Sequence, residues 1–233
     1  MTYLTFNGRD SSDFGVHISG SGTFGAPERD VEAVSVPGRD GDLLFDNGRF
    51  NNIQVVYPAF IVSDFSRHFG DFRAFLLSNP GYHRLEDTYH PEEYRMAQFK
   101  GPLDPSLGAL NRHGHFDLTF ECKPQRFLKS GEEVAEYTAD GFIQNPTLYA
   151  SKPMIRAYGT GTFYIGSYGV TITAADGYTD IDCDIQDAFK GTTNCNGNIQ
   201  LLSDGFPRID PGTQGIDLTG ITKLEITPRW YTI

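Results

Sequence analysis

The sequence predicts a mainly β protein of two domains, with one helix placed in the first. Three observations predict it. The 233 residues hold 18 Phe and 12 Tyr beside 26 Gly and 13 Pro, a pairing of strand formers with turn formers. Short segments of alternating polarity recur, separated by Gly, Asp or Asn. One segment alone carries apolar residues at helical spacing.

Tyr3 to Phe6 reads as a strand that Asn7-Gly8 turns. Phe14 to Ile18 alternates and predicts a second strand, and Ser19 to Gly25 predicts a mobile loop. Val31 to Val36 is strand-like, and Pro37-Gly38-Arg39-Asp40-Gly41 is a strong turn signal after it. The pair predicts a long β-hairpin arm. Asn52 to Val62 predicts a mostly buried strand, with Pro58 confined to an edge or a bulge.

Phe65, Phe69, Phe72 and Leu76 are spaced by four, three and four residues. They share one face of a helix that Ser63 or Asp64 caps and Asn79-Pro80-Gly81 stops. Phe116, Leu118, Phe120 and Cys122 alternate with polar residues in a half-buried strand ending at Pro124. The text then turns polar and acidic from Leu128 to Ala139, which places a domain boundary there. Residues 1–130 are expected to form a β-sandwich-like domain with the helix and the arm. Residues 131–233 are expected to form an antiparallel β-sandwich, from short strands at Met154–Tyr158, Thr162–Ile165, Val170–Thr173, Thr179–Ile185, Asn198–Leu202 and Lys223–Thr227.

The formal net charge of −11 disfavours wrapping of nucleic acid, which needs surplus Lys and Arg. It also disfavours docking on anionic lipid. Cys122, Cys183 and Cys195 are too few for a disulfide framework and fit a reducing cytoplasm. A basic, then apolar leader is not evident at the N-terminus, and no run nears the ~20 apolar residues of a spanning helix.

Few groupings suggest chemistry. Asp180, Asp182 and Asp184 fall on one strand face, neighbours roughly 7 Å apart. That spacing suits an acid pair or Ca²⁺, but a flat strand face supplies neither a cleft nor a Gly-turned ligand loop, and an outer solvated face over Ile181, Cys183 and Ile185 is expected. His113, His115 and Asp117 share a strand face and could hold zinc, yet no fourth ligand is placed by spacing, and a solvent-facing trio is expected. Gly159-Thr160-Gly161 lacks the rest of a phosphate loop and reads as a turn. Neither a catalytic residue, a metal site nor a cofactor is expected.

Several strings taken in order resemble one family. They are Phe6-Asn7-Gly8-Arg9-Asp10 running to Val16, Val36-Pro37-Gly38-Arg39-Asp40-Gly41, Pro80-Gly81-Tyr82-His83-Arg84, Phe120-Glu121-Cys122-Lys123-Pro124, Ile181-Asp182-Cys183-Asp184 and Pro228-Arg229-Trp230. Together, from Phe6 to Trp230, the chain resembles the distal tail (Dit) proteins of siphophages and prophages of Gram-positive bacteria. The resemblance implies a structural, non-enzymatic hub of the virion, made in the host cytoplasm. It implies a homo-hexameric ring, single or stacked, whose first domain makes the ring and whose second is galectin-like and faces outward. The implied partners are the tail tube protein, the tail-associated lysin or tip protein, and in some phages a receptor-binding protein. DNA passes the pore in transit, and no membrane is involved. The arm is the expected ring interface, through Pro37, Gly38, Arg39, Asp40, Gly41, Asp42 and Asp46. Six copies would carry 6 × −11 = −66 formal charges, and an acidic pore would let DNA slide without sticking. Asp40, Asp42 and Asp46 are the acidic candidates for it. A carbohydrate- or receptor-binding module is the competing expectation, with Tyr149, Tyr158, Tyr164, Tyr168 and Tyr178 as candidate sugar platforms.

Overall fold

The computed structural model describes residues 2–19 and 23–233, so residues 20–22 of the expected loop lie outside the described residues. The mainly β class holds: antiparallel sheets account for the architecture, with one α-helix among the described residues. The chain divides into two compact units, Met1–Arg126 with Ile233, and Phe127–Thr232. Among the described residues no helix is long and apolar enough to cross a membrane.

The first unit is organised by one sheet. Its strands lie in the order Arg9–Asp10, Leu4–Phe6, His83–Asp87, Glu93–Phe99, Gly114–Leu128, Ile53–Ile61 and His17–Ile18. Asn7 and Gly8 both take positive φ, 47° and 75°, and fold a two-residue hairpin that sets Phe6 against Arg9. Alternation along Gly114–Leu128 turns Phe116, Leu118, Phe120 and Cys122 inward. There Phe120 meets the rings of Phe6, Tyr57 and Phe99 at 5.1, 6.2 and 5.8 Å.

The helix Phe65–Leu77 covers this core with Phe65, Phe69, Phe72 and Leu76, all buried. Phe69 stacks on Phe65 at 5.0 Å and meets Phe116 edge-on at 5.2 Å. Asp64 occupies the N-cap position, but its backbone is left-handed, φ 48°, and its side chain caps nothing. The Phe65 N–H instead donates to the Arg112 carbonyl at 3.3 Å. At the other end Asn79 Nδ2 donates to the Phe75 carbonyl at 2.7 Å.

Two strand expectations are corrected. Ser11–Phe14 is a 3-10 turn, closed by Gly15 at φ 67°, so the strand expected from Phe14 is only His17–Ile18. Pro124 does not end its strand, which runs on to Leu128. The ladder with Ile53–Ile61 stops at the Ile53–Cys122 pair, so on that side a missing N–H at Pro124 leaves no bond unmade. Pro58 is tolerated likewise: its carbonyl accepts from Ser19 at 2.7 Å, where the short neighbour His17–Ile18 has run out.

The second unit is a β-sandwich. One sheet orders Ala135–Tyr137, Lys223–Thr227, Met154–Tyr158, Tyr178–Asp182, Asp187–Lys190 and Thr193–Asn194. The other orders Gly141–Asn145, Gly212–Thr219, Gly161–Ile165, Tyr168–Ile172 and Ile199–Leu201. Ile155, Ile181, Leu224 and Ile226 of the first meet Phe163, Ile165, Val170, Ile172 and Ile216 of the second in one core. Trp230 closes that core, its carbonyl accepting from the Leu128 N–H at 2.9 Å. The three cysteines are free and buried. Burial pushes the Cys122 thiol up to about 12 and raises Cys183 as well.

Candidate assembly surface

The arm is a two-stranded ribbon, Arg29–Ser35 paired with Asp42–Phe50, and among the described residues neither strand joins another sheet. Its tip follows from the turn text. The Arg39 N–H donates to the Val36 carbonyl at 3.2 Å, with Pro37 and Gly38 (φ 80°) between them, the residue order that a type II turn requires. Gly41 also takes positive φ, 78°. Pro37 to Asp42 and Asp46 are all exposed.

The root is fixed by charge. Arg29 pairs with Asp46, Nε to Oδ2 at 2.6 Å, and Arg49 pairs with Asp30 at 2.6 Å. The Gly48 N–H donates to Asp46 Oδ1 at 2.8 Å, and the Asn51 N–H to the Glu28 carbonyl at 2.8 Å. Hydrogen bonds from Arg29 and the Gly48 backbone hold the Asp46 carboxyl below its usual range, and those from Arg49 and Asn47 do so for Asp30. Asp46 is thus part of the root, whereas Asp40 and Asp42 stand at the tip.

The register decides what the ribbon presents. Paired residues in an antiparallel ladder share a face, so Val34 with Leu43 and Glu32 with Phe45 lie on one side, and Ala33 with Leu44 and Val31 with Asp46 on the other. Leu44 is 65% and Phe45 52% exposed. Both faces therefore carry bare apolar side chains. A lone two-stranded ribbon is marginal in water, and this one has no core face of its own. Such a surface is the mark of an interaction segment. Sequence reasoning found the first strand and the tip and placed the interface from Pro37 to Asp46, but it did not delimit the second strand, Asp42–Phe50, or include Val31 and Val34 among the interface residues.

The other groupings are placed elsewhere. Asp180, Asp182 and Asp184 do not form a solvated face, which corrects that expectation. Asp180 is 4% exposed and is held by Arg156, Nε to Oδ1 at 2.6 Å and Nη2 to Oδ2 at 3.0 Å. Asp182 is held by Arg229 at 2.7 and 3.0 Å. Burial pushes the Asp182 carboxyl up, but the bonds from Arg229 and the Asp184 N–H outweigh it and leave it lowered. The strand ends at Asp182, so Asp184 turns away to Lys152 at 3.0 Å and Ile185 is exposed. His113, His115 and Asp117 are all exposed. Gly159-Thr160 is the bend between Met154–Tyr158 and Gly161–Ile165.

The five tyrosines do not share a platform. Tyr158 and Tyr178 lie on the six-stranded sheet, covered by Lys223, Arg156 and Lys190 at 5.1, 4.4 and 5.3 Å from their ring centres. Tyr164 and Tyr168 lie on the five-stranded sheet, with Arg208 on the Tyr168 hydroxyl at 2.8 Å. Tyr149 stacks on Tyr231 at 5.6 Å.

Comparison with known proteins agrees with this architecture. The SPP1 Dit protein, described as a hub of the adsorption apparatus in phages infecting Gram-positive bacteria, superposes with a TM-score of 0.78 at 13% identity, over 100% of both chains. A chain of the phage p2 baseplate in its activated conformation superposes with a TM-score of 0.56 at 12% identity, over 97% of each. No family model matches the sequence, and no curated protein does. The chain has the fold of the SPP1 Dit protein along its whole length.

Proposed function

We propose that the chain is a structural subunit of a phage tail tip, a hub that closes into a homo-hexameric ring at the distal end of the tail tube. The observation that carries this reading is the arm: a ribbon with bare apolar side chains on both faces, on a chain whose fold matches a phage hub protein end to end. In the ring, residues 1–130 supply the subunit contacts, and the arm, from Val31 through Pro37–Asp42 to the Asp46 root, lies against the next copy. Residues 131–233 face outward. The tube protein docks on one side, and the lysin or tip protein and any receptor-binding protein on the other. DNA crosses the pore, and Asp40 and Asp42 at the arm tips keep its wall acidic.

The chain is not an enzyme in this reading. The carboxylates that offered an acid pair are engaged structurally, Asp180 by Arg156 and Asp182 by Arg229. The glycan-binding alternative draws less support, because Tyr158 and Tyr178 lie on one sheet, Tyr164 and Tyr168 on the other, and Tyr149 on neither.

Native mass spectrometry tests the ring. A particle of 6 × 25.9 = 155.4 kDa, or a multiple of it, is expected. Replacing residues 31–46 by a Gly-Ser bridge should leave the fold intact and abolish that particle. Rings retained without the arm, or a monomer that also fails to bind isolated tail tubes, would overturn the proposal.

A further inference from the structure

We propose that the arm of one copy docks in a groove of the next, between the helix Phe65–Leu77 and the segment Ser106–Arg112, with Phe45 in the groove and Glu32 against Arg73. The inference rests on the hub reading and names the surface that the arm meets.

On one face of the arm Glu32 lies directly across from Phe45, and Val34 from Leu43. Glu32 is exposed, and among the described residues it makes no ion pair. The acids of the root differ, because Asp30 and Asp46 are already held by Arg49 and Arg29. This face therefore offers an aromatic ring beside an uncompensated carboxylate.

The groove offers the complement. It is a hollow of about 260 Å³, lined among others by Phe65, Phe69, Gly70, Leu107 and Arg73. At its side Leu107 is 48% exposed, and Leu110, in the turn that follows, 88%. Arg73 is exposed, as are Arg67 and Arg112, which line the adjoining hollow together with Asp64. Among the described residues none of the three arginines makes an ion pair, on a chain whose net charge is −11. Gly70 lowers the wall. It lies inside the helix, where glycine is unfavourable, yet a Cβ there would meet nothing within 4 Å. The packing of the subunit gives no reason for that glycine, whereas room for an incoming side chain does.

The course of the chain decides which copy fills the groove. The strand Ile53–Ile61 follows the arm at Phe50 and leads into the helix at Phe65. Arm and groove thus stand at its two ends, roughly 26 Å apart for eight steps of a strand. Leu44 and Phe45 are exposed in the subunit, so the arm does not fill its own groove. A contact between two different surfaces of identical chains runs head to tail, and it closes into a ring when the rotation per step allows. Contact between two arms would instead pair the copies as dimers. The charges set the register, because like charges placed opposite each other cost more than a rim pair gains.

Native mass spectrometry of the full chain, beside its melting midpoint, tests the groove. Gly70→Gln favours the helix and should keep or raise the midpoint, but it fills the groove and should leave monomer. Arg73→Glu and Glu32→Arg should each leave the midpoint unchanged and lower the ring fraction by about tenfold or more. Mixed in equal amounts, these two variants should form rings again with the two chains alternating, because every contact then joins opposite charges. A wild-type ring that survives Arg73→Glu or Gly70→Gln would overturn the groove and leave the hub reading standing. Loss of the ring in both charge variants without recovery in the mixture would also overturn it. A wild type without rings, alone or on isolated tail tubes, would remove the hub reading and this one with it.

Discussion

Arg156 and Asp180 face each other directly across neighbouring strands and close two parallel hydrogen bonds, at 2.6 and 3.0 Å. Their environments are unequal: the Asp180 side chain is 5% exposed and that of Arg156 40%. Removing the arginine therefore strands a buried carboxylate, while removing the carboxylate leaves a cation that water can reach. Arg156→Met is expected to cost about 2–3 kcal/mol, and Asp180→Asn clearly less. Urea denaturation of both variants checks the order, and equal losses would refute the asymmetry.

The Arg229–Asp182 pair should make stability depend on acid. The folded state lowers the Asp182 pKa below its unfolded value of about 3.9. A lowered carboxylate adds stability that is fully present above the unfolded value and is lost as pH falls through the folded one. The urea midpoint of the wild type should thus drop more steeply below about pH 4 than that of Arg229→Met. Parallel curves for the two proteins between neutral and strongly acid pH would contradict the assignment.

Gly131 is needed for space rather than for backbone freedom. A Cβ there would stand 2.3 Å from the Trp230 backbone nitrogen, where the Arg229 N–H donates to the Gly131 carbonyl at 2.8 Å. Gly131→Ala should push the closing segment Arg229–Trp230 off the sandwich and cost about 1–3 kcal/mol. Trp230 is the one tryptophan of the chain, so its fluorescence should shift to the red in the folded variant. An unshifted spectrum at wild-type stability would show that the segment adjusts freely.

On the arm, Leu44→Lys and Phe45→Glu remove apolar area that is already in water. Their effect on the stability of the isolated subunit should stay within about 0.5 kcal/mol. The native mass should nevertheless fall from the ring to the monomer. Intact rings in the double variant would move the interface away from the arm faces.

The sequence alone determined much that depends on local rules. The helix face Phe65, Phe69, Phe72 and Leu76 was legible from its spacing, the Asn7-Gly8 hairpin from its two turn residues, and the arm tip from Pro37-Gly38. These signals need only neighbours in the chain. Gly212–Thr219 was not legible: Gly212, Gly215 and the surrounding polar residues argue against a strand, and Ile216 is its one buried apolar residue. It becomes a strand because Gly141–Asn145 and Gly161–Ile165 offer it ladders on both sides, a tertiary effect that overrides propensity. The tertiary structure also decided the fate of the charges. Alternation placed Asp180 and Asp182 on one face, but only the arrival of Arg156 and Arg229, 24 and 47 residues away, made that face a paired one. The same holds for Arg95, whose place in the chain is an ordinary alternating position. The packing of Tyr57, Asp87 and Arg126 around it turned that position into a buried guanidinium whose Nη1 and Nη2 meet no hydrogen-bond acceptor among the described residues, because burial belongs to the fold and not to the residue.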